Sequence, residues 1–353
     1  LARPKAEKAF EARTATGRPS ILVTGPDLFI DAAELISRRG YDEIHVPPYT
    51  TGEALIDLVA QTDPVGVIVR MGKFDAAAMD AAPSLRVISK HGVGVDNIDV
   101  DAATAHGIPV VVASGANAVS VAEHTIALLL AVTKQIIPLD ASLRAGRWEK
   151  PGFVGRELAG ATIGLVGFGA IAQRTATFAR GLGLKVTAFD PFSDPAVFEA
   201  AMVTRQDTLE SLLAGADIIS LHCPLTPTTR QLLNETRIRA AKPGVYIVNT
   251  ARGGLIDEEA LLRALRDGHV AGAGLDSFET EPPPADHPFW GERNIVVTPH
   301  VGGVTAEASA RVSIDAVEGV LSVLDGRSLD PARVVNGRQL AAQSAAGTNS
   351  TGE

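Results

Sequence analysis

The chain has 353 residues, too many for one ordinary core and enough for two α/β domains. Hydrophobic residues make up 46% and charged residues 21%, which excludes a disordered chain. A net charge of −9 argues against nucleic acid or an anionic membrane as the main partner. Cys223 is the single cysteine, so an intrachain disulfide is excluded. The opening segment, LARPKAEKAFEARTATGRPS, is polar and lacks a signal-peptide apolar core. The expected setting is a reducing cytoplasm. The longest apolar run, Thr125 to Thr133, is too short to span a bilayer, so no membrane role is expected.

In chain order, Leu1 to Arg18 reads as a loose arm. Strands are expected at Ser20–Val23, Ile44–Val46, Val65–Arg70, Leu85–Lys90 and Pro109–Val112, with helices at 31–39, 52–62, 75–82 and 100–106 between them. That alternation predicts a parallel sheet of its own. Ala118 to Ala145 is the longest helical pattern, with Pro138 expected to break or kink it. Gly146 to Gly160 reads as an irregular arm carrying Trp148 and Phe153.

Thr162 to Val166 then reads as a buried strand, followed by Gly167-Phe168-Gly169-Ala170-Ile171-Ala172 and a helix to Leu182. A second strand, Lys185 to Phe189, ends on Asp190, eighteen positions after Ala172. Strand, G-x-G-x-x-A turn, helix, strand and terminal acid occur in the order that binds a dinucleotide. Gly167 permits the tight turn, Gly169 lets amides approach a pyrophosphate, and Ala172 is small enough for helix packing. The bland reading, a plain strand–helix turn, leaves Asp190 unexplained. Asp190 would hydrogen-bond the adenosine ribose hydroxyls and repel a 2′-phosphate, so NAD is expected over NADP.

Further strands are expected at 217–221, 246–249, 271–275 and 295–298, with a helix at 258–267. Asp190, His222, Arg252, Asp276 and His300 stand just past strand C-termini, the ligand-binding edge of a doubly wound sheet. A helix from Thr305 to Leu324 has no strand after it and is assigned back to the first domain. The expected architecture is α/β: two Rossmann-like doubly wound parallel-sheet domains with an interdomain cleft. Residues 1–117 and 304–337 would form a discontinuous substrate domain, 118–303 the NAD domain, and 338–353 a disordered tail.

A nicotinamide cofactor implies hydride transfer, and a hydride leaves a carbinol only as its hydroxyl proton leaves. His300 is the best acid–base candidate. Arg252 offers a planar fork to polarise a carbonyl and hold a carboxylate. Glu281 is the candidate carboxylate behind the histidine. The bland readings are a surface arginine, a loop-capping glutamate and a core histidine. Cys223 reads as a small packed residue and not a nucleophile. His91, His222 and Lys90 read equally well as site or scaffold. No metal-ligand spacing stands out.

Spacing alone does not join the three candidates. Asn249-Thr250-Ala251-Arg252-Gly253-Gly254, Gly274 to Pro282, and Thr298-Pro299-His300-Val301-Gly302-Gly303 resemble the NAD-dependent D-2-hydroxyacid dehydrogenase family. His91 to Asp99 and Val121-Ala122-Glu123-His124-Thr125 match it too, so five ordered motifs span roughly Ile21 to Val335. The phosphoglycerate dehydrogenase and hydroxypyruvate reductase branch is the most similar, and with 353 residues in hand the regulatory domain of its long members is not expected.

The resemblance implies that Arg252 binds and polarises substrate, His300 exchanges the proton, and Glu281 pairs with His300. It implies that Val93 and Gly94 amides hold the substrate carboxylate, while Arg70 or Lys90 meets a second anionic group such as a phosphate. Gly167, Gly169, Ala170, Ile171, Asp190, Cys223, Pro224, Thr250, Ala251, Asp276, Gly302 and Gly303 would contact NAD, with Asp276 on the nicotinamide carboxamide. It also implies a homodimer through 118–160. Trp148 is expected to pack in the arm, the alternative being closure of a neighbouring subunit's site. The expected reaction interconverts a small D-2-hydroxy acid and its 2-keto acid. The rivals are an NAD-sensing corepressor-like protein and a formate or phosphite oxidiser of the same superfamily; Glu281, where formate-type members carry Gln, disfavours the formate branch and leaves the phosphite-type dehydrogenase open.

Overall fold

The computed structural model describes residues 17–349. The expected arm therefore lies outside the described residues up to position 16, as do the last four residues of the expected tail. The chain divides into two compact units, crossing between Ala116 and Asn117 and returning between Thr305 and Ala306.

The first unit contains β1 (Ser20–Thr24), α1 (Ile30–Arg38), β2 (Asp42–Val46), α2 (Glu53–Thr62), β3 (Gly66–Val69), α3 (Ala76–Asp80), β4 (Val87–Lys90), α4 (Val100–Ala105) and β5 (Val110–Val112). Its strands pair in the order β2-β1-β3-β4-β5, all parallel. Both faces must then be covered, which is why β1, β3 and β5 are buried along their whole length, while the edge strand β2, Asp-Glu-Ile-His-Val, alternates. One face packs on α2, α3 and α4 through residues such as Leu55, Val59, Met79 and Ala103.

The second unit opens with α5 (Ala118–Thr133) and α6 (Ile136–Arg144). The expected interruption falls before Pro138, not at it: α5 ends at Thr133 with Lys134 as its C-cap, Gln135 turns to φ 52°, and the two helices meet at 59°. The pyrrolidine ring conflicts with the carbonyl four residues earlier, at Lys134, and is tolerated in the first turn of the new helix. No single helix among the described residues is long and apolar enough to cross a membrane.

Then come β6 (Thr162–Val166), α7 (Ala170–Gly181), β7 (Lys185–Phe189), α8 (Pro195–Ala200), β8 (Thr204–Arg205), α9 (Leu209–Gly215), β9 (Ile218–Leu221) and α10 (Glu235–Ala240). The unit closes with β10 (Val245–Asn249), α11 (Glu258–Arg266), β11 (Val270–Leu275) and β12 (Ile295–Val297). The sheet order is β12-β11-β10-β9-β6-β7-β8, again all parallel. Strand order reverses between β6 and β9, so the ligand crevice of such a sheet opens where those two strands end. α5 and α7 cover one face through Leu128, Leu129, Ala172 and Ala176, and α9 and α11 the other through Leu212, Leu213, Leu261 and Leu265.

The chain returns to the first unit as α12 (Ala306–Leu324), whose Val317, Val320 and Leu321 cover the second face of the first sheet. α13 (Gly337–Asn349) follows, in place of the disordered tail expected from Arg338. The composition is low in complexity, yet Leu, Ala, Gln and Arg are strong helix formers. Asn336 anchors the start of this helix. It is fully buried, accepts from the Val110 amide at 2.9 Å, and donates to Thr104 Oγ1 at 3.0 Å and Ile108 O at 2.9 Å. Trp148 does not pack in its arm: it is 71% exposed, because residues 145–160 form no element that could fold over it.

Candidate active site

The β6–α7 turn combines close backbone packing at Gly167 with open space at Gly169. Gly167 has φ 88°, and a Cβ there would come within 2.8–2.9 Å of the His222 and Cys223 backbone at the end of β9. Only glycine fits this crossing between the two strands that flank the switch point. Gly169 differs: a Cβ there meets no heavy atom within 4 Å, so the space beyond it is open. It precedes α7, whose first amides receive no side-chain cap. Unsatisfied donors at a helix N-terminus beside open space suit a pyrophosphate.

Asp190 ends β7 half-buried. Its Oδ2 accepts from the Phe168 amide at 2.8 Å, and its Oδ1 from the Phe192 and Ser193 amides at 2.9 and 3.3 Å. Three backbone donors fix the carboxylate beside the glycine turn, and a carboxylate's remaining acceptor capacity is free to meet a ribose diol. Across the switch point, burial lowers the pKa of His222 to about 4, and its Nε2 meets Ser220 Oγ at 2.9 Å. It is a neutral scaffold residue. Burial also pushes the Cys223 thiol up to about 11, so it is no nucleophile near neutral pH. Thr250 is held by Thr125, hydroxyl to hydroxyl at 2.8 Å.

Arg252, Glu281 and His300 follow the ends of β10, β11 and β12, three adjacent parallel strands. The His300 Nδ1–H donates to Glu281 Oε2 at 2.8 Å. The other carboxylate oxygen, Oε1, accepts from the Phe278 amide at 3.0 Å. With Nδ1 engaged, Nε2 is the ring atom left for chemistry, and it has no partner among the described residues. Burial pushes the Glu281 pKa up, but the His300 bond and charge, the Phe278 amide and the Arg252 charge outweigh it, and the net shift is downward. Glu281 therefore stays ionised opposite the imidazole. Arg252 follows a turn in which Asn249 Oδ1 accepts from the Ala251 amide and Asn249 Nδ2 donates to Arg252 O. The next residue, Gly253, lies so close to the Phe278 carbonyl that a Cβ would sit 1.9 Å from its carbon. This contact locks the arginine turn to the loop carrying Glu281.

His300 adopts φ 53°, a left-handed conformation that costs a non-glycine residue about 1–2 kcal/mol. Asp276 offsets that cost. It is almost fully buried at the end of β11; Oδ1 accepts from Thr298 Oγ1 at 2.5 Å and the Val301 amide at 2.9 Å, and Oδ2 from the Gly302 amide at 2.7 Å. His124 Nε2 donates to Thr298 Oγ1 at 2.9 Å. Burial raises the Asp276 pKa, but these donors win and the net shift is downward. Asp276 thus clamps the turn that presents His300, a task beyond the cofactor contact its motif implies. His124 and Thr298 are not among the sequence candidates, although both lie in or beside the quoted motifs. Their side-chain link depends on α5 packing against β12, which spacing does not reveal.

Arg70, Val93 and Gly94 belong to the first unit. Arg70 Nη1 donates to the Pro26 and Asp27 carbonyls, and burial lowers its pKa. Lys90 Nζ donates to Asn97 Oδ1 at 2.8 Å and to the Arg70 carbonyl at 3.2 Å, tying β4 to the loop that follows it. Val93 is exposed in that loop. His91 Nε2 meets Ser313 Oγ at 3.0 Å, and burial, with Arg70 and Lys90 charges, lowers its pKa to about 3. It is scaffold. No group of three or more His, Cys, Asp or Glu among the described residues is gathered to hold a metal ion.

A sequence model described as D-isomer specific 2-hydroxyacid dehydrogenase, NAD binding domain, matches residues 126–302. The D-3-phosphoglycerate dehydrogenase of Mycobacterium leprae is 47% identical over 263 residues, covering 74% of this chain and 49% of that one. The enzyme of the same name from Methanocaldococcus jannaschii is 41% identical over 307 residues, covering 87% of this chain and 57% of its own. The chain thus spans about half the length of the curated relatives it matches. The TT0316 protein of Thermus thermophilus superposes with a TM-score of 0.81 at 38% identity, over 90% of this chain and 99% of that one. Residues 126–302 are the NAD-binding domain, and the chain belongs to the D-isomer specific 2-hydroxyacid dehydrogenase family.

Proposed function

We propose that the protein is an NAD-dependent oxidoreductase interconverting a small D-2-hydroxy acid and its 2-keto acid. The observation that carries this reading is the 2.8 Å Glu281–His300 pair, with Arg252 locked to the same loop, inside an NAD-binding domain. The cofactor fits the residues present: open space at Gly169, uncapped amides at Ala170 and Ile171, and the fixed carboxylate of Asp190. Bound NADH supplies the hydride that reduces C2 of the keto acid. Arg252 polarises the C2 carbonyl and pairs with the carboxylate. His300 delivers its Nε2 proton to the carbonyl oxygen, and Glu281 orients the ring and stabilises its cationic form. In oxidation His300 takes the hydroxyl proton back. Val93 and Gly94 amides are the proposed holders of the substrate carboxylate, and Arg70 or Lys90 the proposed contact for a phosphate.

Both curated relatives described above bear the name D-3-phosphoglycerate dehydrogenase, so the phosphorylated three-carbon pair is the substrate to test first. NADH consumption across 3-phosphohydroxypyruvate, hydroxypyruvate, glyoxylate and pyruvate tests the reading. Turnover with at least one is expected; tight NADH binding with none of them reduced overturns it in favour of a sensor. A homodimer through 118–160 belongs to the same proposal. It is supported by Ile136, Ile137, Leu143, Trp148 and Val154, all half or more exposed along one stretch of chain. Sedimentation as a monomer at working concentration refutes it.

A further inference from the structure

The loop carrying Glu281 is held from behind by an acid–imidazole pair, the imidazole buried and the acid half-buried. Glu258, the first residue of α11, accepts from the Glu279 amide through Oε1 at 2.9 Å. Its Oε2 lies 3.2 Å from His287 Nε2. His287 Nδ1 accepts from the Phe289 amide at 3.3 Å, which fixes the tautomer: Nε2 carries the hydrogen and donates to Glu258. The imidazole is 8% exposed and packs against Phe278, Phe289 and Trp290 at centroid distances of 5.8, 4.8 and 5.2 Å. One glutamate therefore grips both ends of the 279–287 segment. Immediately before that segment, the Phe278 amide holds Glu281 and the Phe278 carbonyl abuts Gly253.

We propose that Glu258 and His287 are positioning residues that set the distance from Glu281 to His300 and to the Arg252 turn. The proposal rests on the reading of Arg252, Glu281 and His300 given above. Neither residue touches the reacting atoms; both act through Glu281. Without the Glu258 acceptor, the Glu279 amide loses its anchor and the segment slackens. Glu281 then withdraws from His300, and burial acts on its carboxyl with less opposition.

The test uses Glu258→Ala, Glu258→Gln and His287→Phe in the full chain, each alone and combined with Glu281→Gln. His287→Phe keeps an aromatic ring in the packed site while removing both hydrogen bonds. Glu258→Gln keeps an acceptor for Glu279 and serves if Ala fails to fold. Expected for Glu258→Ala and His287→Phe is a fall in kcat of about 10–100-fold, with NADH affinity within about twofold. The acid limb of the kcat profile should move to higher pH, and either substitution should cost little more once Glu281 is Gln. Glu258→Gln should lie between wild type and Ala. Unchanged kcat and acid limb, or an equal loss in the Glu281→Gln background, overturns the proposal. Independently of turnover, the hydrogen-bonded Nδ1 proton of His300 should be seen by NMR in wild type and lost in His287→Phe. Wild type that shows this proton but reduces no keto acid refutes the functional reading and leaves the positioning role standing; a proton that persists in His287→Phe refutes the role.

Discussion

Substituting Gly253 by alanine should separate Arg252 from Glu281, two of the groups proposed to carry the reaction, without touching either. The added methyl would sit 1.9 Å from the Phe278 carbonyl carbon, 2.2 Å from its oxygen and 2.3 Å from the Glu279 nitrogen. Ordinary contact begins at 3.4 Å, so backbone must move by about 1.5 Å. Every neighbour is main chain, so no side-chain rotation can absorb it. Whichever side yields, Arg252 and Glu281 part, because Glu281 is bound to the Phe278 amide and Arg252 adjoins Gly253. A misplacement of about 1 Å costs on the order of 100-fold in rate, about 2.7 kcal/mol of transition-state stabilisation. Overpacking should add about 1–3 kcal/mol of lost stability. Steady-state kcat/KM for the best keto acid, alongside thermal unfolding and NADH binding, reads both effects. The expected variant is folded, binds NADH, and is slowed about 100-fold. A folded variant within about threefold of wild type would refute the claim that this contact holds the arginine turn to the glutamate loop.

Replacing Asp190 by Ser removes the negative charge set for the ribose diol; the NADPH-to-NADH ratio of kcat/KM should rise at least about 10-fold, and wild type already faster with NADPH would show the ribose assignment wrong. Glu281 titrates below its ordinary value of 4.5 in the folded state, so the folded protein binds fewer protons there than the unfolded chain. Its contribution to stability is full above that pH and is lost as pH falls through the lower folded value. Urea midpoints of wild type should therefore drop faster below about pH 4.5 than those of Glu281→Gln; parallel curves count against the shift. Asn336→Ala strips partners from Val110, Thr104 and Ile108 at a fully buried position, at a cost of about 2–4 kcal/mol in equilibrium urea unfolding. A loss below about 0.5 kcal/mol would show that the tail is not anchored there.

Parts of the fold are legible because their code is local. The run from Thr162 to Asp190 places strand, turn, helix, strand and acid within one stretch, and the structure returns β6, α7 and β7 at those positions. The elements α8, β8, α9 and α10 escape such a reading because they are short and lack a full apolar period. Their caps are visible all the same: Asp194, Thr208 and Asn234 each accept from an amide in the first turn of the helix they precede. α13 escapes it because a composition suited to disorder is also rich in helix formers.

The sequence by itself determined which residues have the right chemistry: a fork at Arg252, an imidazole at His300, a carboxylate at Glu281 and an acid at Asp190. Only tertiary structure decided which of them meet. Arg252, Glu281 and His300 are far apart along the chain, and they converge because β10, β11 and β12 lie side by side in parallel and release their loops at one edge. The same step separated scaffold from site, turning His91 and His222 into half-buried neutral groups and giving Asp276, His124 and Thr298 the work of holding His300 in a left-handed turn. Propensity and spacing act between neighbours in the chain, whereas a catalytic distance is set by strand order and close packing, which no local pattern encodes.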